Sequence, residues 1–209
     1  MRILYIDTSS SFLYTGIVDE NKLLCEVKKE YNHELSKYAL PEIVEMFENN
    51  KIDPKSIDKI IVVNGPGSFT GIRIGITIAK VYAWSLNIPI TTITSLEAMM
   101  LSSKKNTNYV PVIDARRDYV FGAIYSDKKE QILKPQHIKI EDLKQKLEDI
   151  NDYVIITNDE INLDGEKESY DPDILTIVKY FKDKESMNPH AVNPDYLKLT
   201  AAEESKLND

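Results

Sequence analysis

The sequence is poor in the residues that most often mark a site. It has one cysteine, Cys25, which excludes an internal disulfide, fits a reducing cytosol and reads as a small buried side chain. The three histidines, His33, His137 and His190, offer little to a metal. His33-Glu34 invites a zinc-protease reading, but that motif needs a second histidine four residues on, so that both face one ion, and position 37 is lysine. No stretch approaches the ~20 apolar residues of a membrane span. The opening Met1-Arg-Ile-Leu-Tyr-Ile-Asp7 is too short for a signal peptide's apolar core and reads as a strand. A cytoplasmic protein with no membrane contact is expected. Basic tracts do not exceed pairs such as Lys28-Lys29, and the net charge is −8. Tight RNA binding needs several Lys/Arg–phosphate contacts, so this chain alone should bind RNA poorly.

Glycine is also scarce, with seven in the chain, yet Gly65, Gly67, Gly71 and Gly75 share one stretch, Asn64-Gly-Pro-Gly-Ser-Phe-Thr-Gly-Ile-Arg-Ile-Gly75. The apolar run Ile60-Ile-Val-Val63 before it reads as a buried strand. Glycines on either side of Pro66 predict a tight turn. Ser68 or Thr70 can cap the helix that follows, to about Leu86. Strand, glycine turn and helix N-terminus together make a candidate anion cradle, although the Lys-Ser/Thr of a phosphate-binding P-loop is missing.

On that helix Ile74, Ile78, Val81 and Tyr82 share one arc. Gly75, Ala79 and Ala83 share the next, flanked by Ile72, Ile76 and Leu86, and Arg73, Thr77, Lys80 and Trp84 take what remains. A surface helix needs an apolar stripe of about 100°; this one has more than twice that and should be covered on two sides. One cover is its own sheet. The other is a second helix, from this chain or from a partner, because Gly71, Gly75, Ala79 and Ala83 form a small-residue ridge that lets a backbone approach.

The chain opens with three hairpin-linked strands, Ile3–Asp7, Phe12–Val18 and Leu23–Lys29, followed by a helix from Glu34 to about Asn49 with a kink or late start at Pro41. A strand at Ile88–Ile93 and a capping box, Thr94-Ser-Leu-Glu97, lead to the polar 104–108 segment, a candidate boundary between lobes 1–103 and 104–209. Beyond it Tyr109–Asp114, the turn Ala115-Arg-Arg117 and Tyr119–Tyr125 echo the opening strand–Asp–turn–strand, each with glycine midway along its second strand, which suggests duplication. A short strand at Gln131–Lys134, a helix at Lys139–Ile150, a strand at Tyr153–Thr157, an exposed acidic loop at Asn158–Tyr170 and a helix at Asp173–Lys184 complete an α/β pattern with mixed sheets.

Asp7-Thr-Ser9, His33-Glu34, Gly65-Pro-Gly-Ser-Phe-Thr-Gly71 with Ile72-Arg-Ile-Gly75, Thr94-Ser-Leu-Glu97, Asp114-Ala-Arg-Arg117 and Pro194-Asp-Tyr-Leu197 occur in this order. Together they resemble the TsaB (YeaZ) family. The resemblance implies an actin/Hsp70/sugar-kinase-like (ASKHA) fold of two duplicated lobes, mixed sheets flanked by helices; the stretch from Gln131 to Tyr170 looks shorter than the family's, so a reduced second lobe is expected. It implies a non-catalytic scaffold for a TsaD-like paralogue, working with a TsaE-like ATPase to modify the tRNA adenosine beside the anticodon. This chain would then hold no cofactor or metal of its own. ATP and metal would sit on the partners, tRNA would be met only indirectly, and the lone chain would form a homodimer.

The candidate interface is the pair of helices through His33, Leu35, Tyr38, Ala39, Gly71, Ile72, Gly75, Ile76, Ala79 and Ala83. The rival reading is an independent ATPase or small-molecule kinase of degenerate ASKHA fold, with Asp7-Thr8-Ser9 as phosphate loop. A nucleotide cage of that kind uses a second glycine-rich loop, and Ala115-Arg-Arg-Asp118 has no glycine. Asp7 and Asp114 then read as turn residues. Arg116 and Arg117 could bind an anion, a solvated hairpin tip being the plainer reading.

Overall fold

The computed structural model describes residues 1–32 and 34–197. They divide into two compact units. The first is Met1–Ser102 with Asp171–Asp195, and the second is Ser103–Tyr170 with Tyr196 and Leu197.

In the first unit β1 (Arg2–Asp7), β2 (Phe12–Asp19) and β3 (Lys22–Glu30) form an antiparallel meander. Helix α1 (Leu35–Asn49) then carries the chain back to β4 (Lys59–Val63), parallel to β1. All five residues of β4 are buried, as a strand covered on both faces requires. Helix α2 (Phe69–Leu86) leads to β5 (Ile90–Ile93), parallel to β4, and completes the order β3-β2-β1-β4-β5. Helix α3 (Ser95–Ser102) begins in the expected capping box: Thr94 Oγ1 accepts from Glu97 N–H at 3.1 Å, and the Glu97 carboxylate accepts from Thr94 N–H at 2.9 Å.

The second unit repeats this plan. Strands β6 (Asn108–Asp114), β7 (Tyr119–Tyr125) and β8 (Gln131–Lys139) form the meander. Helix α4 (Ile140–Leu147) precedes β9 (Tyr153–Ile156), parallel to β6, and β10 (Glu166–Glu168) runs parallel to β9. The order β8-β7-β6-β9-β10 matches the first sheet strand for strand in sequence and in sense. Even the turns correspond. Asp7 Oδ1 accepts from Ser9 N–H at 2.8 Å, and Asp114 Oδ1 from Arg116 N–H at 2.9 Å. This is the ASKHA plan of duplicated lobes. The second is the reduced one, because no helix corresponding to α2 lies between β9 and β10. Ile161 and Leu163 from that loop join the core instead, beside Val110, Ile155 and Leu143.

Three expectations need correction. The 158–170 loop is not uniformly exposed: its apolar residues plug the sheet where a helix would lie, and β10 falls inside it. The strand begun at Gln131 runs on to Lys139 through Pro135, which an edge position tolerates because no neighbour needs the missing N–H. The second lobe is not the continuous segment 104–209, since helix α5 (Ile174–Phe181) returns to the first unit with Asp171–Asp195. Its four buried residues, Ile174, Ile177, Val178 and Phe181, recur at helical spacing and give it one inward face. Buried Lys59 donates to the carbonyls of Lys182 at 2.8 Å and Lys184 at 3.2 Å just past its C-terminus, where a cation is favoured. Among the described residues no helix is long and apolar enough to cross a membrane.

Candidate partner-binding site on α1 and α2

Helix α1 buries Leu35, Ala39, Ile43, Met46 and Phe47, one stripe at steps of three and four. Pro41 lies inside the helix without ending it. The middle of α1 is tied to β3 and the residue after it by Glu42, whose carboxylate oxygens accept from Lys29 Nζ at 2.8 Å each and which also accepts from the Tyr31 hydroxyl. Burial pushes the Glu42 carboxyl up, but the hydrogen bonds from Lys29 and Tyr31 outweigh it and hold its pKa below the usual 4.5. The unfolded chain therefore takes up this proton first. The tie contributes in full above pH 4.5 and is lost as the pH falls through the folded value. Denaturant titrations from neutral pH downward should show stability falling in that window, with a shallower fall for Glu42→Gln.

Helix α2 is capped by Ser68, whose Oγ accepts from Gly71 N–H at 3.2 Å, and it ends at Asn87 in the left-handed region, φ 53°. Its buried residues are Gly71, Ile72, Gly75, Ile76, Ala79 and Ala83. The small-residue ridge therefore faces the chain's own sheet and is not a partner surface. A Cβ on Gly71 would lie 2.1 Å from the carbonyl oxygen of Thr8, and one on Gly75 would lie 2.3 Å from the Thr8 hydroxyl. Thr8 Oγ1 donates to the Gly71 carbonyl at 2.7 Å. The ridge exists because the end of β1 runs against it.

The second cover of α2 also comes from within, from α1. Leu35 and Ala39 share a cluster with Leu13, against which Ile74 and Ile78 pack, and the Phe47 and Tyr82 rings are stacked 6.2 Å apart. Of the ten residues expected at an interface, Leu35, Ala39, Gly71, Ile72, Gly75, Ile76, Ala79 and Ala83 are buried in this chain, Tyr38 is half-buried, and His33 lies outside the described residues.

The face that α1 and α2 leave exposed is a different one. The exposed arc carries Leu40 (52%) and Val44 (47%) on α1 and Phe69 (53%), Val81 (60%) and Trp84 (67%) on α2. These are five of the nine exposed large apolar side chains among the described residues, so the exposure is concentrated where a partner surface would be. Between the helices lies a cavity of about 600 Å³ whose apolar lining includes Leu40, Ile43, Val44, Phe47, Ile78 and Tyr82. Its floor is fixed: Tyr82 donates its hydroxyl proton to the Pro54 carbonyl at 2.6 Å. Burial first, then the Asp53 charge, push that phenol up to about 12. The sequence held a clue in Trp84, a large aromatic stranded among Arg73, Thr77 and Lys80. At the other end of the exposed arc the Arg73 guanidinium covers the Phe69 ring at 4.1 Å.

The glycine turn is already occupied. A Cβ on Gly65 (φ 120°) would lie 2.1 Å from the Asp195 carbonyl oxygen, and one on Gly67 (φ 149°) 2.2 Å from that of Ser9. Ser68 N–H donates to Ser9 O at 2.7 Å. The space beside the turn is lined by carbonyl oxygens, which repel an anion, and two N–H groups at the helix start have internal acceptors. Asp7, 1% exposed, accepts from the Ser9 hydroxyl as well as its N–H. In the second unit Arg116 and Arg117 sit on an exposed hairpin tip with Asp114 and Asp118 flanking them in the sequence, so the tip carries two charges of each sign. No group of three or more His, Cys, Asp or Glu among the described residues is placed to hold a metal.

The model of the TsaD family, tRNA N6-adenosine threonylcarbamoyltransferase, matches residues 26–155. The Bacillus subtilis tRNA threonylcarbamoyladenosine biosynthesis protein TsaB is 30% identical over 97% of this chain and 96% of its own length. The Escherichia coli protein of the same name is 30% identical over 65% of this chain and 64% of its own. Among solved structures, YeaZ from Pseudomonas aeruginosa superposes with a TM-score of 0.75 at 18% identity, covering 94% of this chain and 99% of that one. A second structure, of a P. aeruginosa protein described by its similarity to peptidase YEAZ, gives a TM-score of 0.79 at 17% identity with the same coverage.

Proposed function

The chain belongs to the TsaB (YeaZ) family of tRNA threonylcarbamoyladenosine biosynthesis proteins, and from that premise we propose that it serves this tRNA modification as a non-catalytic subunit, docking a TsaD-like paralogue on the exposed face of α1 and α2. The observation that carries the reading is the gathering of five exposed apolar side chains on these two helices, two of which, Leu40 and Val44, line the apolar groove between them. A specific interface buries roughly 800 Å² on each partner, which two adjacent helices of this length can supply. Aromatic anchors such as Trp84 and Phe69 are the residue type that dominates interface energy.

The partner's competent conformation would be favoured by contacts it makes only in that state. ATP and metal would be held by the paralogue and a TsaE-like ATPase, and most of the tRNA contact with them, in keeping with the charge of −8 here. The occupied glycine turn supports this over an independent ATPase or kinase, for which ATP–Mg should bind the lone chain tightly in a calorimetric titration.

Size-exclusion chromatography with mass detection tests the docking. The chain mixed with its TsaD-like paralogue should elute as a heteromer. Leu40→Glu with Val44→Glu, which buries two charges on docking, should return separate species while leaving the fold intact. Co-elution of the double variant would send the interface elsewhere. If the lone chain pairs with itself through the same face, the double variant should also be monomeric.

A further inference from the structure

The chain after α5 is held chiefly by hydrogen bonds to its backbone. Between Glu185 and Asp195, Val192 is the one side chain that is fully buried. The grips are otherwise polar. Thr91 Oγ1 donates to Glu185 O at 3.1 Å. Ile90 and Met187 exchange two bonds at the edge of β5, Met187 N–H to Ile90 O at 2.8 Å and Ile90 N–H to Met187 O at 3.3 Å. Lys80 Nζ donates to Val192 O at 2.9 Å and His190 O at 3.3 Å. Asn64 closes the segment, accepting from Asp195 N–H at 2.8 Å and donating its side-chain amide to Asn193 O at 3.4 Å.

Segments held this way open at free energies far below global unfolding. Two of the grips also bear on the partner face. Lys80 is the neighbour of Val81 on α2 and stands one turn before Trp84. Asn64 and Gly65 form the turn that feeds α2, and the Asp195 carbonyl occupies the space left by Gly65.

We propose that Glu185–Asp195 is a latch coupled to docking on α2. Closed, it fixes the glycine turn and Lys80, so that Val81 and Trp84 are presented in the binding pose; open, it frees α2 to shift and docking weakens. This rests on the α1/α2 docking reading above. Coupling between two sites is reciprocal, so a docked partner must also hold the latch shut.

The test uses the full chain and its TsaD-like paralogue. Lys80→Met keeps the aliphatic stem and removes the ammonium; Asn64→Ala, outside α2, removes the side-chain bond to the Asn193 carbonyl and leaves the backbone bond from Asp195 in place. Lys80→Met should lower partner affinity about five- to tenfold and Asn64→Ala by less, and both should speed amide hydrogen exchange at Ile90 and Met187. In the wild-type chain, saturating partner should slow the same two amides by a similar factor. A strap with a structural role alone would exchange faster in the variants, leave affinity unchanged and ignore the partner. That result overturns the latch. A wild-type chain that does not bind the paralogue at all overturns the docking reading and the latch together, and affinity measured before any exchange experiment distinguishes the two.

Discussion

Gly71→Ala should destabilise the chain by about 3 kcal/mol, the upper part of the range for forcing an extra methyl into a packed site. The cause is local and severe. The new Cβ would stand 2.1 Å from the carbonyl oxygen of Thr8, an atom fixed at the end of β1 that has no rotamer through which to yield. The shift would also pull the Gly71 carbonyl away from the Thr8 hydroxyl that donates to it at 2.7 Å. For a chain of this length that loss corresponds to a melting temperature lower by roughly 6–12 °C. Scanning calorimetry of the purified variant reads it directly. A variant that melted with the wild type would mean that the ridge does not lie against β1.

Trp84→Ala should do the reverse, changing partner binding and sparing the fold. The indole is 67% exposed, so its removal from the free chain forfeits little burial. On a docked face a desolvated aromatic anchor carries about 2 kcal/mol or more, a loss of about 30-fold in affinity. Calorimetric titration with the paralogue would show that loss beside an unchanged melting temperature. A variant that bound as tightly as wild type would remove α2 from the interface.

Local chemistry was legible in the sequence wherever one residue type answers one need. The glycine turn, the Ser68 cap, the Thr94–Glu97 capping box and the strand–Asp–turn–strand echo all lie close to where the residues alone place them. The face of α2 was not legible, for a specific reason. A ridge of Gly71, Gly75, Ala79 and Ala83 admits any close backbone, and helix–helix packing and packing against a strand end demand the same small side chains. What decides between them is Thr8, more than sixty residues upstream, and no periodicity in α2 encodes that contact. The return of α5 to the first unit was hidden in the same way. Its apolar stripe states that a face is covered, and only the folded chain states by which sheet. The residues of the proposed docking face escaped because exposed Leu40, Val44 and Val81 look like ordinary core positions until the buried arc has been assigned to its neighbours.

The chain contains a single tryptophan, and it stands on the surface in question, so the intrinsic fluorescence of Trp84 is the most direct measurement. Titrating the TsaD-like paralogue, in a form lacking tryptophan, should shift its emission to shorter wavelength as the indole leaves water, saturating at one paralogue per chain. An emission spectrum that stays that of a solvated indole while the two proteins co-elute would contradict docking on this face.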